Sequence, residues 1–446
     1  MPEPSTSGWA SGLVRRDALP GLMIAVMLVA SIAHGLVPAF PGVIGVLAAW
    51  VAGVAVWRRL PARARIQVGA MLGVGLACLG MVAAGGGAVE WSDALGRSLP
   101  ILTLLAGVAF LRLIYRAEGG GGEDSAAPRG FGAYLRTMFG AHLFGAVINM
   151  SALVVFADRL ARVAPLARRE VVLLGRSYSM VAFYSPFIGG VALALGLVPE
   201  VRFPVLVLVG VGLAGIGFVV IAVLGRLEEG ASIAEFRGYP FRPESLWLPL
   251  ALAGAVAAVH WIWPALPVLL VVALLAPLLA AGALAVRLGP AGAARTVGRF
   301  ALTELPGMSG ELTLFLAAGV LGGGLTAVVA AWPSLVPAFP LTPGVALVAL
   351  AGIVVPAIAG VHPLVSVTAL IAVALPASPD PTLLAAVCII GWGLGATVSP
   401  YSGISLVLAA RCGISSWVFV RWNAVFCAVM FLAAGAVFAG YGALAR

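Results

Sequence analysis

The groups in this sequence best suited to chemistry are polar side chains set inside long apolar runs. Asn149 and Ser151 fall within 139–157, "FGAHLFGAVINMSALVVFA". Ser185 and Pro186 interrupt 171–197, and Thr397, Ser399, Pro400 and Ser402 interrupt 382–410. Pro356, Gly360 and Pro363 break the run 342–376, with His362 just before Pro363. A polar group buried in an apolar medium without a partner costs roughly 2–7 kcal/mol, so an ion or ligand would compensate Asn149 and Ser151. Hydrogen bonding between the arms of a hairpin would serve equally. Proline inside a helix removes a donor and opens the ladder of backbone bonds, while the adjacent Gly189, Gly190, Gly391, Gly393, Gly395 and Gly403 permit close approach or unwinding. The start of a half-helix can hold an anion, and freed carbonyls with hydroxyls can hold a sodium ion. A simple proline kink is the plainer reading. His362, with an ordinary pKa near about 6.5, suits proton coupling, anion binding or a neutral imidazole at a helix break.

The surrounding elements follow from composition. Of 446 residues, 62% are hydrophobic and 10% charged, with a mean hydropathy of +1.11, more apolar than a soluble core can absorb. The basic residues are all arginines, and the net charge of +9 is dispersed between apolar runs rather than gathered on one face with aromatics. That pattern argues against nucleic acid and for membrane topology. Cys78, Cys388, Cys412 and Cys427 show no CxxC spacing, which excludes a zinc site or disulfide framework as a reading. The Gly-rich 116–128 lacks the GK[ST] ending of a phosphate loop and reads as a cytoplasmic linker.

A spanning helix needs about 20 mostly apolar residues. Eleven such runs are expected, at 18–38, 40–57, 66–86, 99–115, 171–197, 203–225, 246–263, 265–286, 311–331, 382–410 and 416–442. Arg15, Arg16, Arg58, Arg59, Arg63, Arg65, Arg112, Arg116, Arg129 and Arg136 share one side if the spans alternate. The positive-inside rule makes that side, and the N-terminus, cytoplasmic. Two runs resist alternation. The run 139–157 has arginines on both flanks and is read as a re-entrant hairpin from the cytoplasm; 342–376 is flanked by arginine-free stretches and is read as a hairpin from the opposite face. Hairpin tips at membrane depth must be buried in protein or line a polar cavity.

The chain also repeats itself. "ILTLLAGVAFL" at 101–111 returns as "ELTLFLAAGVL" at 311–321, and "YSPFIGG" at 184–190 returns as "VSPYSGI" at 398–404. The order of span, hairpin, broken span and span recurs, and counting spans makes the two copies inverted. The expected organisation is N-terminal helices at 1–65, repeat 1 at 66–225, a cytoplasmic linker at 226–246 and repeat 2 at 247–442. The fold class is therefore an all-α integral membrane protein with inverted-topology repeats, two opposed re-entrant hairpins and broken helices, the build of secondary transporters.

These features resemble the ion transporter superfamily, in particular its divalent anion/sodium symporters, with the arsenite permeases and NhaD-type antiporters as relatives. The likeness covers roughly 66–442. In that family each hairpin tip carries a Ser-Asn-Thr motif; here Asn149 and Ser151 match it, whereas the second tip reads Gly360-Val361-His362-Pro363. The resemblance implies a homodimer and an elevator motion in which hairpins and broken helices move as one body.

The expected function is a secondary active transporter of a small anionic solute in a bacterial inner membrane, coupled to Na+ or H+, in contact with lipid and with no further cofactor. Asn149, Ser151, Ser185, Pro186, Gly360, His362, Thr397, Ser399, Pro400 and Ser402 are its candidate binding residues. A cation/proton antiporter is the alternative within transport, although Asp93, Asp158, Glu304 and Glu311 all lie near span ends. A membrane enzyme acting on lipid-linked substrate is a third reading, disfavoured by short, nearly uncharged external loops. Among other polar residues, Glu311 reads as a helix cap, Arg176 and Arg411 as positive-inside anchors, and His34, His142, His260 and Asn423 as interfacial.

Overall fold

The computed structural model describes residues 7–117, 128–163, 165–238, 247–335, 340–377 and 379–444. Among these there is no strand, only an isolated bridge between Arg129 and Arg237. The helices are α1 (Ser7–Leu36), α2 (Val43–Val56), α3 (Ala62–Ala84), α4 (Trp91–Gly96), α5 (Leu99–Ala109), α6 (Arg112–Ala117), α7 (Gly130–Ile148), α8 (Met150–Val163), α9 (Arg168–Ser179) and α10 (Gly189–Leu197). There follow α11 (Phe203–Glu229), α12 (Trp247–Ile262), α13 (Val268–Thr303), α14 (Ser309–Ala331), α15 (Pro343–Ile358), α16 (Pro363–Ala374), α17 (Pro381–Val398), α18 (Gly403–Cys412) and α19 (Val418–Leu444). Most of the linker expected at 116–128 lies outside the described residues, as do 239–246 of the one expected at 226–246, whose earlier part is the end of α11 and the turn Gly230–Glu235.

Among the described residues, seven helical stretches are long and apolar enough to cross a membrane, as an all-α multi-pass membrane protein requires. Three expected spans take another form. At 14 residues α2 is about 21 Å long, short of a roughly 30 Å hydrocarbon core. α12 has 16 residues. The run 171–197 is divided between α9 and α10. Conversely, 268–331 is one nearly continuous helical stretch. There α13 turns at Gly289, whose φ of +72° suits a residue without Cβ, and Pro290 starts a second arm carrying Arg295 and Arg299.

The chain folds as two compact units. The first comprises Met1–Gly119 and Leu252–Ala331. Within it α3 lies along α14, α1 packs on α2 and α13, and α13 packs on α5. The repeated "LTL" words take the same local form: Thr103 donates to the Leu99 carbonyl at 2.7 Å and Thr313 to the Ser309 carbonyl at 2.9 Å. Glu311 stands in the first turn of α14, the position expected of a cap. A cleft of about 380 Å³ between α3, α4 and α14 is lined by Glu90, Asp93 and Thr326 among apolar neighbours. Its polar side is tied by Arg97, which donates to Thr326 at 2.9 Å and pairs with Asp93 at 3.6 Å.

The second unit comprises Gly120–Ala251 and Trp332–Arg446. It contains the sequence hairpin, broken helix, long helix twice: α7/α8, α9/α10, α11, and then α15/α16, α17/α18, α19. The arms α7 and α8 pack on each other and on α9, and α15 packs on α16, α17 and α19. The two copies interlock through α10 on α17 and α11 on α19. The 18-residue apolar window of the α17–α18 stretch is 94% buried, against 28% in α19, so the core of the broken helix is surrounded by protein while the long helix presents much of its surface outward. Irregular backbone at membrane depth needs that enclosure. Of the thiols, Cys388 and Cys427 are buried, whereas Cys78 in the first unit and Cys412 in the second are half-exposed.

Candidate functional site

All ten residues singled out in the sequence belong to the second compact unit. The first hairpin turns on a single residue. Asn149 adopts φ +55° and ψ −142°, a conformation that residues with a Cβ rarely take. Its side chain is engaged on both sides: Oδ1 accepts from the Met150 N–H at 2.7 Å and from the Tyr178 hydroxyl, and Nδ2 makes a long 3.5 Å contact to the Phe187 carbonyl. Tyr178 is on α9 and Phe187 is in the first break, so the tip is pinned to the first broken helix. Ser151 begins α8, and its side chain lies outside the described residues.

Each broken helix opens at its Ser-Pro pair in the same way. Ser185 Oγ accepts from the Phe187 N–H at 3.3 Å, and Ser399 Oγ accepts from the Tyr401 N–H at 3.2 Å, so both prolines sit inside a turn closed by the preceding serine. Both serines are buried. Ser185 Oγ also donates to the Ala146 carbonyl of α7 at 2.6 Å, a second tie between hairpin and break. In the second break Ser402 caps α18 by accepting from the Ser405 N–H at 3.2 Å. Thr397, in the last turn of α17, donates its hydroxyl to the Gly393 carbonyl at 2.7 Å.

The second hairpin turns through 359–362. Gly360 has φ +96°, and a Cβ there would stand 2.7 Å from the Tyr401 ring, so only glycine lets this tip lie on the second break. His362 caps α16: its Nδ1 accepts from the Leu364 N–H at 3.1 Å. Its ring meets Trp392 edge-on at 5.4 Å. Trp392 covers Gly190 in the first turn of α10, where a Cβ would come 2.4 Å from the indole. Each tip thus lies on the break of its own half, and Trp392 links the second tip to the first half.

Three residues expected at the interface are buried in this unit instead. Arg176, 1% exposed, donates to Glu228 at 3.1 Å, Asn423 at 3.1 Å and the Trp422 carbonyl at 2.7 Å, and faces the Phe426 ring at 5.5 Å. Asn423 in turn donates to the Thr397 carbonyl at 2.9 Å, one of the carbonyls that the end of α17 leaves without a helical partner. This chain of contacts ties α9, α11 and α19 to the second break. His142 is 2% exposed and bonds Ser177 and Tyr184. Arg411, by contrast, pairs at a half-exposed position with Asp158 of α8 at 2.7 Å. Arg176 lies in the last turn of α9, where its sequence position alone reads as a helix-end anchor.

Chemically the breaks assemble hydroxyls, carbonyls and half-helix starts, oxygen donors for a hard cation and N–H donors for an anion. Among the described residues no group of three or more His, Cys, Asp and Glu is placed to hold a metal ion. No family model matches the chain, and no curated protein matches it. Among solved structures it is similar to the crystal structure of the Alcanivorax borkumensis YdaH transporter, with 13% sequence identity and a TM-score of 0.46 over 96% of this chain and 98% of that one.

Proposed function

We propose that this protein is a secondary active transporter that moves a small anionic solute across a bacterial inner membrane, coupled to Na+ or H+. The observation that carries the reading is the duplicated break: two Ser-Pro turns closed by Ser185 and Ser399, each pressed on by its own hairpin tip, within one compact unit. A protein that only scaffolds or signals has no need of two interrupted helices kept from lipid, whereas a transporter needs unpaired backbone groups near the midplane. Asn149, Ser151, Ser185, Pro186, Gly360, His362, Thr397, Ser399, Pro400 and Ser402 form the binding region in this reading. Hairpins and broken helices travel together as one body in an elevator motion, and the protein works as a homodimer in contact with lipid. The cation/proton antiporter reading asks for an embedded carboxylate among the breaks, and Glu311 belongs to the other unit.

The test is thermal stability of the purified full chain in detergent with carboxylates, sulfur and metalloid oxyanions and amino acids, each in sodium and in choline buffer. A ligand that binds the native state raises the midpoint by mass action. A sodium-dependent rise with one anion class supports sodium symport. A rise independent of sodium favours proton coupling. No rise with any anion removes the anionic substrate.

A further inference from the structure

We propose that His142, held between the Ser177 carbonyl and the Tyr184 hydroxyl, is a proton-binding site of the second unit and the group through which a proton enters the transport cycle. The second half of that statement rests on the transporter reading; the first stands on geometry.

His142 lies on the first hairpin arm, α7, and is 2% exposed. Its Nδ1 is 2.9 Å from the Ser177 carbonyl oxygen and its Nε2 is 2.8 Å from the Tyr184 hydroxyl. A carbonyl only accepts, so Nδ1 carries a hydrogen in every protonation state. A tyrosine hydroxyl both donates and accepts. It donates to Nε2 when the imidazole is neutral, and by rotating about its C–O bond it accepts from Nε2–H when the imidazole is charged. The second proton therefore enters without leaving any of these groups unpaired.

His362 is built the other way. Its Nδ1 faces the Leu364 N–H, which only donates, so the neutral ring carries its hydrogen on Nε2 and a second proton has to go to Nδ1. That would set two donors head to head and uncap α16. Of the two histidines near the breaks, the one without an obvious sequence signature is the one able to titrate in place.

Tyr184 gives the proton its route. It is half-buried in the first break, immediately before Ser185. It passes its hydroxyl proton to Nε2 while its oxygen takes one from a hydronium ion. One proton moves from water to the imidazole, one water molecule is released, and the tyrosine stays neutral.

The surroundings of the ring are apolar or already paired. Phe218 of α11 meets it edge-on at 4.7 Å. On α9, Arg176 is engaged with Glu228, Glu170 with Arg169, and Tyr178 with Asn149. On α8, Asp158 is engaged with Arg411, and Arg159 and Arg162 lie in the last turns. The turn Gly230–Glu235 brings Glu235 next to Phe236, which packs on Tyr134, two turns before His142. No carboxylate among these contacts is paired with the ring, so an anion arriving at the break favours the proton as the proton favours the anion.

The test is nitrogen-15 NMR of the full chain in nanodiscs, labelled at histidine, across roughly pH 4 to 7. Histidine occurs four times, so His34→Gln, His260→Gln and His362→Gln assign the His142 signal by elimination even if His142→Gln does not fold. The expected result is a His142 ring that is the Nδ1–H tautomer when neutral and gains a second proton within this range, while His362 keeps the Nε2–H form throughout. Tyr184→Phe should lower the His142 midpoint by about one pH unit, because a bond to a charged donor is roughly twice as strong as one to a neutral ring. A His142 that holds the Nε2–H tautomer, stays neutral to the acid end, or ignores Tyr184→Phe overturns the proposal. The solute panel uses no histidine variant, so the transport reading and this one fail separately.

Discussion

The two halves of the second unit use one local device and support it differently. Both breaks are Ser-Pro turns closed by the serine hydroxyl, and both are covered by a hairpin tip. In the first half the tip is one residue, Asn149, held in a disfavoured conformation by bonds to Met150 and Tyr178. In the second half the tip is a wider turn in which Gly360 adopts the unusual conformation freely and His362 is spent on capping α16. The first tip is held by side-chain hydrogen bonds and the second by backbone shape and ring packing. The second break is also held from behind, where Asn423, itself bonded to Arg176, donates to the Thr397 carbonyl. A duplicated motif can therefore keep its turn while its polar functions redistribute, and the half that retains a strained polar tip is the better candidate for contact with a solute.

That comparison can be broken most severely at Arg176. Arg176→Met leaves Asn423 and the Trp422 carbonyl without their buried donor and is expected to cost about 3–5 kcal/mol, read as a lower thermal midpoint in detergent. Arg176→Lys should recover only part of this, since an ammonium cannot match the planar fork. If Arg176→Met unfolds no more easily than the wild type, the second break is not held from behind.

Gly360→Ala comes next. It combines a positive φ with a collision against Tyr401, for an expected loss of about 1–3 kcal/mol. Adding Tyr401→Ala should restore the steric share, so the pair is non-additive in chemical denaturation.

Asn149 sharpens the contrast in the opposite sense. Asn149→Gly relieves the backbone while removing the amide, and stability should stay within about 1 kcal/mol of the wild type. Affinity for whichever anion stabilises the protein should fall at least about tenfold, equivalent to roughly 1.4 kcal/mol, in the same thermal assay. Unchanged affinity in Asn149→Gly would assign the residue to structure alone.

The smallest effect belongs to His362. Replacing a cap by alanine costs about 1 kcal/mol, and His362→Asn, which keeps a capping acceptor, should cost less than about 0.5 kcal/mol in chemical denaturation at neutral pH.

The breaks and tips were legible because local chemistry dictates them. Ser-Pro beside glycines opens both 171–197 and 382–410, and arginines on both flanks of 139–157 point to a chain that doubles back, which it does at Asn149 between α7 and α8. What escaped the sequence is set by partners far along the chain. Arg176 and His142 look like span-end residues in one dimension, and their burial depends on Glu228, Asn423 and Tyr184 arriving from other helices. The elbow at Gly289 escaped for a different reason. A run ending in arginines reads as a span leaving the membrane, yet Pro290 is well placed to start a helix and the second arm continues to Thr303.

The distribution of thiols has a practical consequence. One half-exposed cysteine, Cys78, lies in the first unit and one, Cys412, at the end of α18 in the second, while the other two are sealed in the interior. The wild-type chain therefore carries one addressable label position per unit. A pair of spin labels on the unmodified sequence would report the separation of the units as a distance distribution, and its response to sodium, pH and solute would show whether they move as the proposed cycle requires.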